Sequence, residues 1–437
     1  MKKFIFALFA GILAFSGCND NETKTATYVI NEPVFMSTES FRKSVSVTYQ
    51  AVPVCDYGKI CFCDGYIYIS EKQEGIHIID NRNPSHPQNI GFIHLIGNAD
   101  LAIRNGKLYA DSFVDLVWFD INNPAKPKLE GRIEDMFKGA VPIPDNDYGC
   151  DYRYLYGYDG SKGIIVGWKQ KVCTEAYLQE NGIWWGGNRR GFVGYASELS
   201  SFDGAAKTGG VGINGSMSRF ALYKNYLYSV INNYMSVIDL SGEEPVKVAE
   251  DIPVGNVETI FSYKDNMFMG SPWGMIIYSV ANPLKPEYVS SVWHVYGCDP
   301  VVVENDIAYV TIHSENWCGQ NNNDLLIYDV SDVKEPRHII TYPMTKPKGL
   351  GVDNAMLFVC DDGLKVFNAS DPKRLMNIAH YRGMEGFDVI AFNNVLMMIA
   401  EDGLYQYEYK NLSKIRRLSK LPIVSNCSRN RVSPPAF

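Results

Sequence analysis

The stretch GIHIIDNRNPSHP at residues 75–87 keeps returning along the chain, and its return decides the fold. It reads DLVWFDINNPAKP at 115–127, YMSVIDLSGEEP at 234–245, GMIIYSVANPLKP at 274–286 and DLLIYDVSDVKEP at 324–336. Two weaker copies, GLKVFNASDPKRL and GLYQYEYKNLSKI, begin at Gly363 and Gly403. Successive starts lie 40, 119, 40, 50, 39 and 40 residues apart. A period of this size marks a repeat architecture, in which one supersecondary unit is stacked many times.

Each copy opens with a short run rich in Ile, Val, Leu, Phe and Tyr, residues that suit a pleated, half-buried surface. The run ends in Asp, Asn or Ser, and a proline follows. Proline has no N–H to give to a ladder, so the strand must turn there. Upstream lie paired apolar runs around a polar tip, such as LAIRNGKLYA at 101–110 and VVVENDIAYVT at 301–311. Asn-Gly and Asn-Asp between such runs are hairpin signals. One more short strand follows each turn. One repeat therefore supplies four antiparallel strands, the content of a propeller blade. The expected fold is all-β: a single closed β-propeller of four-stranded antiparallel blades over residues 34–423. Seven copies give seven blades, or eight if the 119-residue step hides a degenerate one.

The phrases VIDLSGEEP, IYDVSDVKEP and VFNASDPKRL resemble those of the LVIVD-repeat lipoproteins, envelope propeller proteins of Bacteroidetes-type bacteria. EPVFMSTESFRKSV at 32–45, CDPVVVENDIAYVT at 298–311, YPMTKPKGLGVD at 342–353 and EDGLYQYEY at 401–409 are similar to family segments too. The resemblance runs from about residue 31 to residue 421. It implies a propeller and a lipoprotein, and it implies no particular activity.

Residues 1–17 read as an export signal: Lys2 and Lys3, then the apolar FIFALFAGILAF, too short to span a bilayer. Phe15-Ser16-Gly17-Cys18 resembles a bacterial lipobox, so Cys18 is the expected lipidation site. Acyl chains anchor a protein without a spanning helix. Residues 18–33 then read as a polar tether, and 424–437 as a C-terminal tail. The expected location is the outer membrane, facing the cell surface. A net charge of −8 gives no basic footprint for nucleic acid.

Ten cysteines include Cys18, leaving nine in what the signal makes an oxidising compartment. A Cys298–Cys318 bridge is expected, pinning the ten-residue insertion SENWCGQNNN, and a Cys150–Cys173 bridge across a hairpin. His294, Cys298, His313 and Cys318 also have zinc-like spacing, but a metal would compete for the same sulfurs, and none is expected.

Gly210-x-Gly212-x-x-Gly215 matches a dinucleotide fingerprint in letters only, because no helix follows it to receive pyrophosphate. No motif calls for a cofactor. Residues 139–216 break the repeat and hold 16 of the 37 glycines, a density that predicts a loop insertion. Trp184, Trp185 and Arg189 within it are candidate contacts for a glycan or protein partner, or else hold the insertion down.

Aligned on their hairpins, the repeats place Lys59, Asp100, Arg219, Glu258, Asp299, Lys348 and Asp388 at the start of each innermost strand. All are charged, although the strands are apolar. There they rim the central channel as candidate ligand-binding residues. The leading reading is a non-catalytic binding module in the envelope, for a glycan, a peptide or an envelope partner. An enzyme at the channel mouth and a purely structural envelope protein are the rivals. The enzyme needs a converging acid and base, and no histidine accompanies the aligned carboxylates.

Overall fold

A computed structural model describes residues 27–137, 139–145, 147–155, 160–183, 210–231, 233–293, 300–313 and 322–424. Among the described residues lie eight β-sheets, seven of which contain four consecutive antiparallel strands. Sheet 1 comprises Tyr57–Cys63, Tyr66–Glu71, Gly75–Asp80 and Gln88–His94. Sheet 2 runs from Leu101–Arg104 to Lys128–Ile133, sheet 3 from Phe220–Tyr223 to Val246–Pro253, and sheet 4 from Thr259–Tyr263 to Glu287–Trp293. Sheet 5 runs from Val301–Glu304 to Arg337–Pro343, sheet 6 from Leu350–Asp353 to Met376–Tyr381, and sheet 7 from Gly386–Phe392 to Arg416–Pro422.

The recurring phrase is the third strand of each sheet and the turn that leaves it. Its parts have local causes. Gly75, Gly274 and Gly363 open the strand with φ of +151°, +150° and +102°, a conformation L side chains rarely adopt. A Cβ on any of them would also strike a backbone carbonyl of the fourth strand. At the phrase's end, Asp80, Asp120, Asp239, Asp329 and Asn368 each accept a hydrogen bond from the backbone N–H two residues on, at 2.8–3.2 Å. This Asx turn starts the reversal that proline completes. The first hairpin of each sheet is as economical. Asp64-Gly65, Asn105-Gly106 and Asn305-Asp306 have positive φ at both turn residues, the geometry that matches strand twist.

The second and third strands are buried on both faces, because each sheet is covered by its neighbours, whereas the fourth strands are largely exposed. The first strands pack side by side in the order of sheets 1 to 7, and that of sheet 7 packs against that of sheet 1. This is a propeller-type arrangement of sheets. Ile60, Ile67 and Ile69 of sheet 1 share a core with Phe387, Ile390, Met397 and Ile399 of sheet 7.

The 119-residue step is different from expectation. Among its described residues there is no further four-stranded sheet. Instead Thr27–Met36 lies in the middle of a three-stranded sheet, between Gly149–Cys150 and Ile164–Thr174. Residues 27–33 are thus a strand rather than a tether, and part of the Gly-rich insertion is regular structure. The helix Glu175–Glu180 follows, and Ile30, Cys173, Leu178 and Ile183 make a small core of their own. The helix Thr38–Lys43 fastens the N-terminal strand to sheet 2. Its Arg42 donates to both carboxylate oxygens of the fully buried Asp115, at 2.9 and 3.1 Å, and Arg132 donates to Asp115 at 2.5 Å. No helix among the described residues is long and apolar enough to cross a membrane.

Candidate functional site

The aligned charged residues do converge on the first strands, but their surroundings differ from an open rim. Lys59, Asp100 and Asp388 are buried; Arg219, Glu258 and Lys348 are half-buried. Asp299 lies outside the described residues, as do Trp184, Trp185, Arg189, Cys298 and Cys318.

What buries the three is the chain itself. Residues 210–219 thread between the first strands and are fixed there by backbone pairing. Ile213–Asn214 forms a short antiparallel ladder with Phe62 and Cys61 of sheet 1. On the other side, Gly212 N donates to Ile103 O of sheet 2 at 2.7 Å. Gly215 N donates to Ile60 O at 3.0 Å, and Ile260 N of sheet 4 reaches Ser218 O at 3.4 Å. The glycines of the rejected fingerprint have a steric reason. A Cβ at Gly212 would lie 2.7 Å from Cys61 Sγ and 2.9 Å from Ile103 Cβ, and one at Gly215 would fall on the Asp388 carboxylate.

Two serines then take up the buried carboxylates. Ser216 N and Oγ both donate to Asp388 Oδ1 at 2.9 Å, and Ser216 Oγ accepts from Leu350 N of sheet 6 at 2.8 Å. Ser218 Oγ donates to Asp100 Oδ1 at 2.5 Å, while Arg219 N donates to the other oxygen. Val389 N and Leu101 N each donate to the carboxylate beside them at 2.8 Å. One decapeptide is thereby bonded to sheets 1, 2, 4, 6 and 7 before it enters sheet 3.

Burial raises the pKa of Asp388 to about 7, opposed by the hydrogen bonds from Val389 and Ser216 and by the charge of Lys59. Burial also raises that of Asp100, with Lys59 the strongest opposing influence. Asp111, bonded by the Ala99 and Asp100 amides at 2.8 Å, is pushed up to about 7. The neighbouring thiols of Cys61 and Cys360 are pushed well up by burial, which leaves little thiolate to react.

The arrangement can therefore hold a chain segment in the centre of the molecule. Asp100 and Asp388 lie beneath this segment, where both oxygens of Asp100 and Oδ1 of Asp388 accept from serine hydroxyls and backbone amides of residues 216–219. Sequence reasoning missed Ser216 and Ser218. The close-spaced glycines just before sheet 3 were the available signal for tight backbone approach.

The expected Cys150–Cys173 bridge is not formed. The two sit on opposite outer strands of the three-stranded sheet, facing Asn31 and Tyr28 of the strand between them. That separation is beyond the reach of a disulfide.

The family profile of the LVIVD repeat matches residues 59–93, the four strands of sheet 1, and residues 214–243, which reach through the third strand of sheet 3. The chain carries the LVIVD repeat at these two places. No protein of curated function matches the sequence. Among solved structures, a protein from Lactobacillus plantarum superposes with a TM-score of 0.50 at 12% identity, over 84% of this chain and 97% of its own. The computationally designed Ika8 protein gives 0.49 at 8% identity, over 87% and 93%. BamB from Moraxella catarrhalis gives 0.46 at 8% identity, over 90% and 91%. Likeness at these identities concerns the fold alone.

Proposed function

We propose that this LVIVD-repeat chain is an exported, lipid-anchored propeller of seven blades that works as a non-catalytic binding module of the cell envelope. Closure between sheets 7 and 1 is supported by a repeated seam. Ser290 Oγ donates to Val333 O, Tyr342 OH to Lys373 O and Tyr381 OH to Ile415 O, at 2.6–3.2 Å, each from a fourth strand to the turn in the next sheet. Ser419 Oγ donates to Pro84 O at 2.6 Å, which repeats the device between the last sheet and the first. Export and lipidation at Cys18 rest on the leader sequence, and the disulfide-bonded state of Cys55 agrees with an oxidising compartment.

The observation that carries the binding reading is an asymmetry between the two ends of the sheets. In each sheet the first strand begins, the second links to the third, and the fourth strand ends at one and the same end. The opposite end holds the two-residue hairpins and the turns of six or seven residues, and there Gly210 accepts from Asn105 N at 2.6 Å and donates to Asp64 Oδ1 at 3.3 Å. The first end holds residues 134–137, whose Phe137 N donates to Val114 O at 2.8 Å, and Phe41 and Ile164, which pack on Phe113 in the link of sheet 2. Repeat proteins place insertions on one face, often the binding face. Two indoles stand out at this end as well. Trp273, in the link of sheet 4, is 52% exposed, and Trp293, paired with Gly274 at the end of the fourth strand, is 75% exposed. With the centre filled by residues 210–219, this end is where a partner meets the protein.

The test uses the soluble chain starting at Asn19 on an array of immobilised bacterial glycans, and in crosslinking to envelope extracts. A specific partner is expected, whose affinity falls at least tenfold in the Trp273→Ala, Trp293→Ala double variant at unchanged melting temperature. Partner contacts mapped only to the hairpins at the opposite end would overturn the reading.

A further inference from the structure

Residues 410–420 read KNLSKIRRLSK, five cations and no carboxylate in eleven residues, in a chain whose net charge is −8. They form the turn and most of the fourth strand of sheet 7. We infer that this turn and strand, with the neighbouring turn of sheet 6, dock on an anionic lipid surface.

The charge there is left uncompensated. Arg416 is held by Glu408 at 2.8 Å, and Lys420 by Asp402. Lys410, Lys414 and Arg417 are exposed and make no ion pair among the described residues, and the same holds for Lys373 and Arg374 in the turn of sheet 6. The carboxylate of that turn, Asp371, is engaged locally and accepts from Lys373 N at 3.0 Å. Tyr381 OH donates to Ile415 O at 3.1 Å, so the strand that follows Lys373 and Arg374 runs up to the turn of sheet 7. Both sets of cations therefore share one wall. The turn of sheet 3 carries Glu243 and Glu244 instead, so the positive sign belongs to this side of the molecule.

Apolar side chains stand among these cations. In sheets 1, 2, 4 and 6 the turn's Asn or Asp is followed by a proline: Pro84, Pro124, Pro283 and Pro372. In sheet 7 that place is taken by Leu412, which is 38% exposed between Lys410 and Lys414. Asn411 fixes the turn. Its Oδ1 accepts from Ser413 N at 3.1 Å and from Ser413 Oγ at 2.7 Å, and its carbonyl accepts from Lys414 N at 2.9 Å. Leu412 is thereby presented outward without proline. Met376, which opens the fourth strand of sheet 6 just after Arg374, is 55% exposed. Lysine and arginine around a protruding apolar side chain suit a membrane interface, where the cations meet phosphate and the apolar group enters the acyl boundary. A soluble polyanion would reward the cations alone.

The spacing of the cations also selects a surface over a single small anion. Lys414 and Arg417 are three residues apart on nearly extended chain, about 10 Å, so one phosphate does not bridge them and several headgroups do. Exposed charges are screened over about 10 Å at 0.1 M salt and about 3 Å at 1 M, so the docking is a low-salt contact. On a lipid-anchored chain it would fix which side of the propeller lies against the leaflet and leave the end bearing Trp273 and Trp293 to its partner. That consequence rests on the proposed function; the surface itself does not.

The experiment is co-sedimentation of the chain starting at Asn19, which carries no lipid, with vesicles of phosphatidylcholine alone or with one third phosphatidylglycerol. Binding to the anionic vesicles is expected, weakened at least tenfold in 1 M salt. The Lys410→Ala, Lys414→Ala, Arg417→Ala triple variant should lose at least tenfold in affinity at unchanged melting temperature, and Leu412→Ser at least threefold. No binding to anionic vesicles, or equal binding to neutral ones, would overturn the docking surface. So would an equal loss in Lys126→Ala, Lys128→Ala, exposed cations of sheet 2 outside the wall. Dextran sulfate or DNA bound as tightly as the vesicles, with Leu412→Ser unchanged, would make the occupant a soluble polyanion and overturn the lipid assignment. Should the triple variant fail to fold, the salt series and Leu412→Ser still decide. High salt separates this contact from the proposed anchor: a lipidated chain retained on membranes there reports the lipid, not this wall.

Discussion

Ser216→Ala tests whether residues 210–219 are part of the structural centre. The hydroxyl removed is fully buried and works twice, as donor to Asp388 Oδ1 and as acceptor from Leu350 N. A hydrogen bond to a charged acceptor is worth about 1.5–3 kcal/mol, and a buried N–H left without a partner costs about 1–3 kcal/mol. The first value applies in part only, because burial holds Asp388 at a pKa of about 7 and so partly protonated at neutral pH. The expected loss is about 3 kcal/mol. Melting entropy of about 2.1 cal/mol/K per residue gives roughly 0.8 kcal/mol/K for the described span, so the melting temperature should fall by about 4 °C. Urea unfolding followed by tryptophan fluorescence reads the first quantity and calorimetry the second. Hydrogen exchange reads the cause, since the amides of Gly212 and Gly215, bonded to Ile103 and Ile60, should lose protection first. A change below about 0.5 kcal/mol, with those amides still protected, would refute the reasoning and make the segment a surface passenger.

The pH dependence follows from the buried carboxylates. Asp388 and Asp111 are raised in the folded state to about 7, so their contribution is fully present below the unfolded value of 3.8 and is lost as pH rises through about 7. Urea midpoints should therefore fall between pH 5 and pH 8, with a smaller fall in Asp388→Asn; equal slopes in both proteins would contradict the assigned burial. Asp115→Ala leaves Arg42 and Arg132 facing an empty buried position and should cost about 3–5 kcal/mol, with faster proteolysis at residues 38–43. A stable variant resistant to protease would show that Asp115 does not fasten the N-terminal strand. Cys18→Ala should leave the membrane fraction for the soluble one, and retention on membranes in high salt would exclude lipid as the anchor.

The repeat was legible because a four-stranded sheet is local. Its phrase, its Asx turn and its hairpin lie within forty residues, and each is enforced by chemistry that a single residue carries: positive φ at Gly75, a turn carboxylate at Asp80, a missing N–H at Pro84 and Pro87. Lys59, Asp100 and Asp388 stand at the starts of first strands, where the alignment expects them, since strand starts recur with the period. It did not reveal what covers them. The bonds that do so join residues far apart in the chain, Ser216 to Asp388 and Ser218 to Asp100, and nothing periodic announces them. The pairing of Thr27–Met36 with Ile164–Thr174 was hidden for the same reason, and the acidic, lysine-bearing stretch before it read as a tether.

Charge at these positions changes meaning once the covering segment is known. On an open rim, opposite charges in fixed places would form a polar binding site for a small ligand. Under residues 210–219 Asp100 and Asp388 accept from serine hydroxyls and backbone amides, so their substitution acts on stability first. Arg219, Glu258 and Lys348 are only half-buried, and Lys348 Nζ lies 3.5 Å from the exposed Glu385 carboxylate. A pair of that kind is worth little energetically and is readily given up to another partner. The described members of the candidate ring thus divide by burial into three within the centre and three half-buried ones at the end bearing Trp273 and Trp293. Affinity should respond to the second set and melting temperature to the first, and this separation is what distinguishes a binding end from a binding channel.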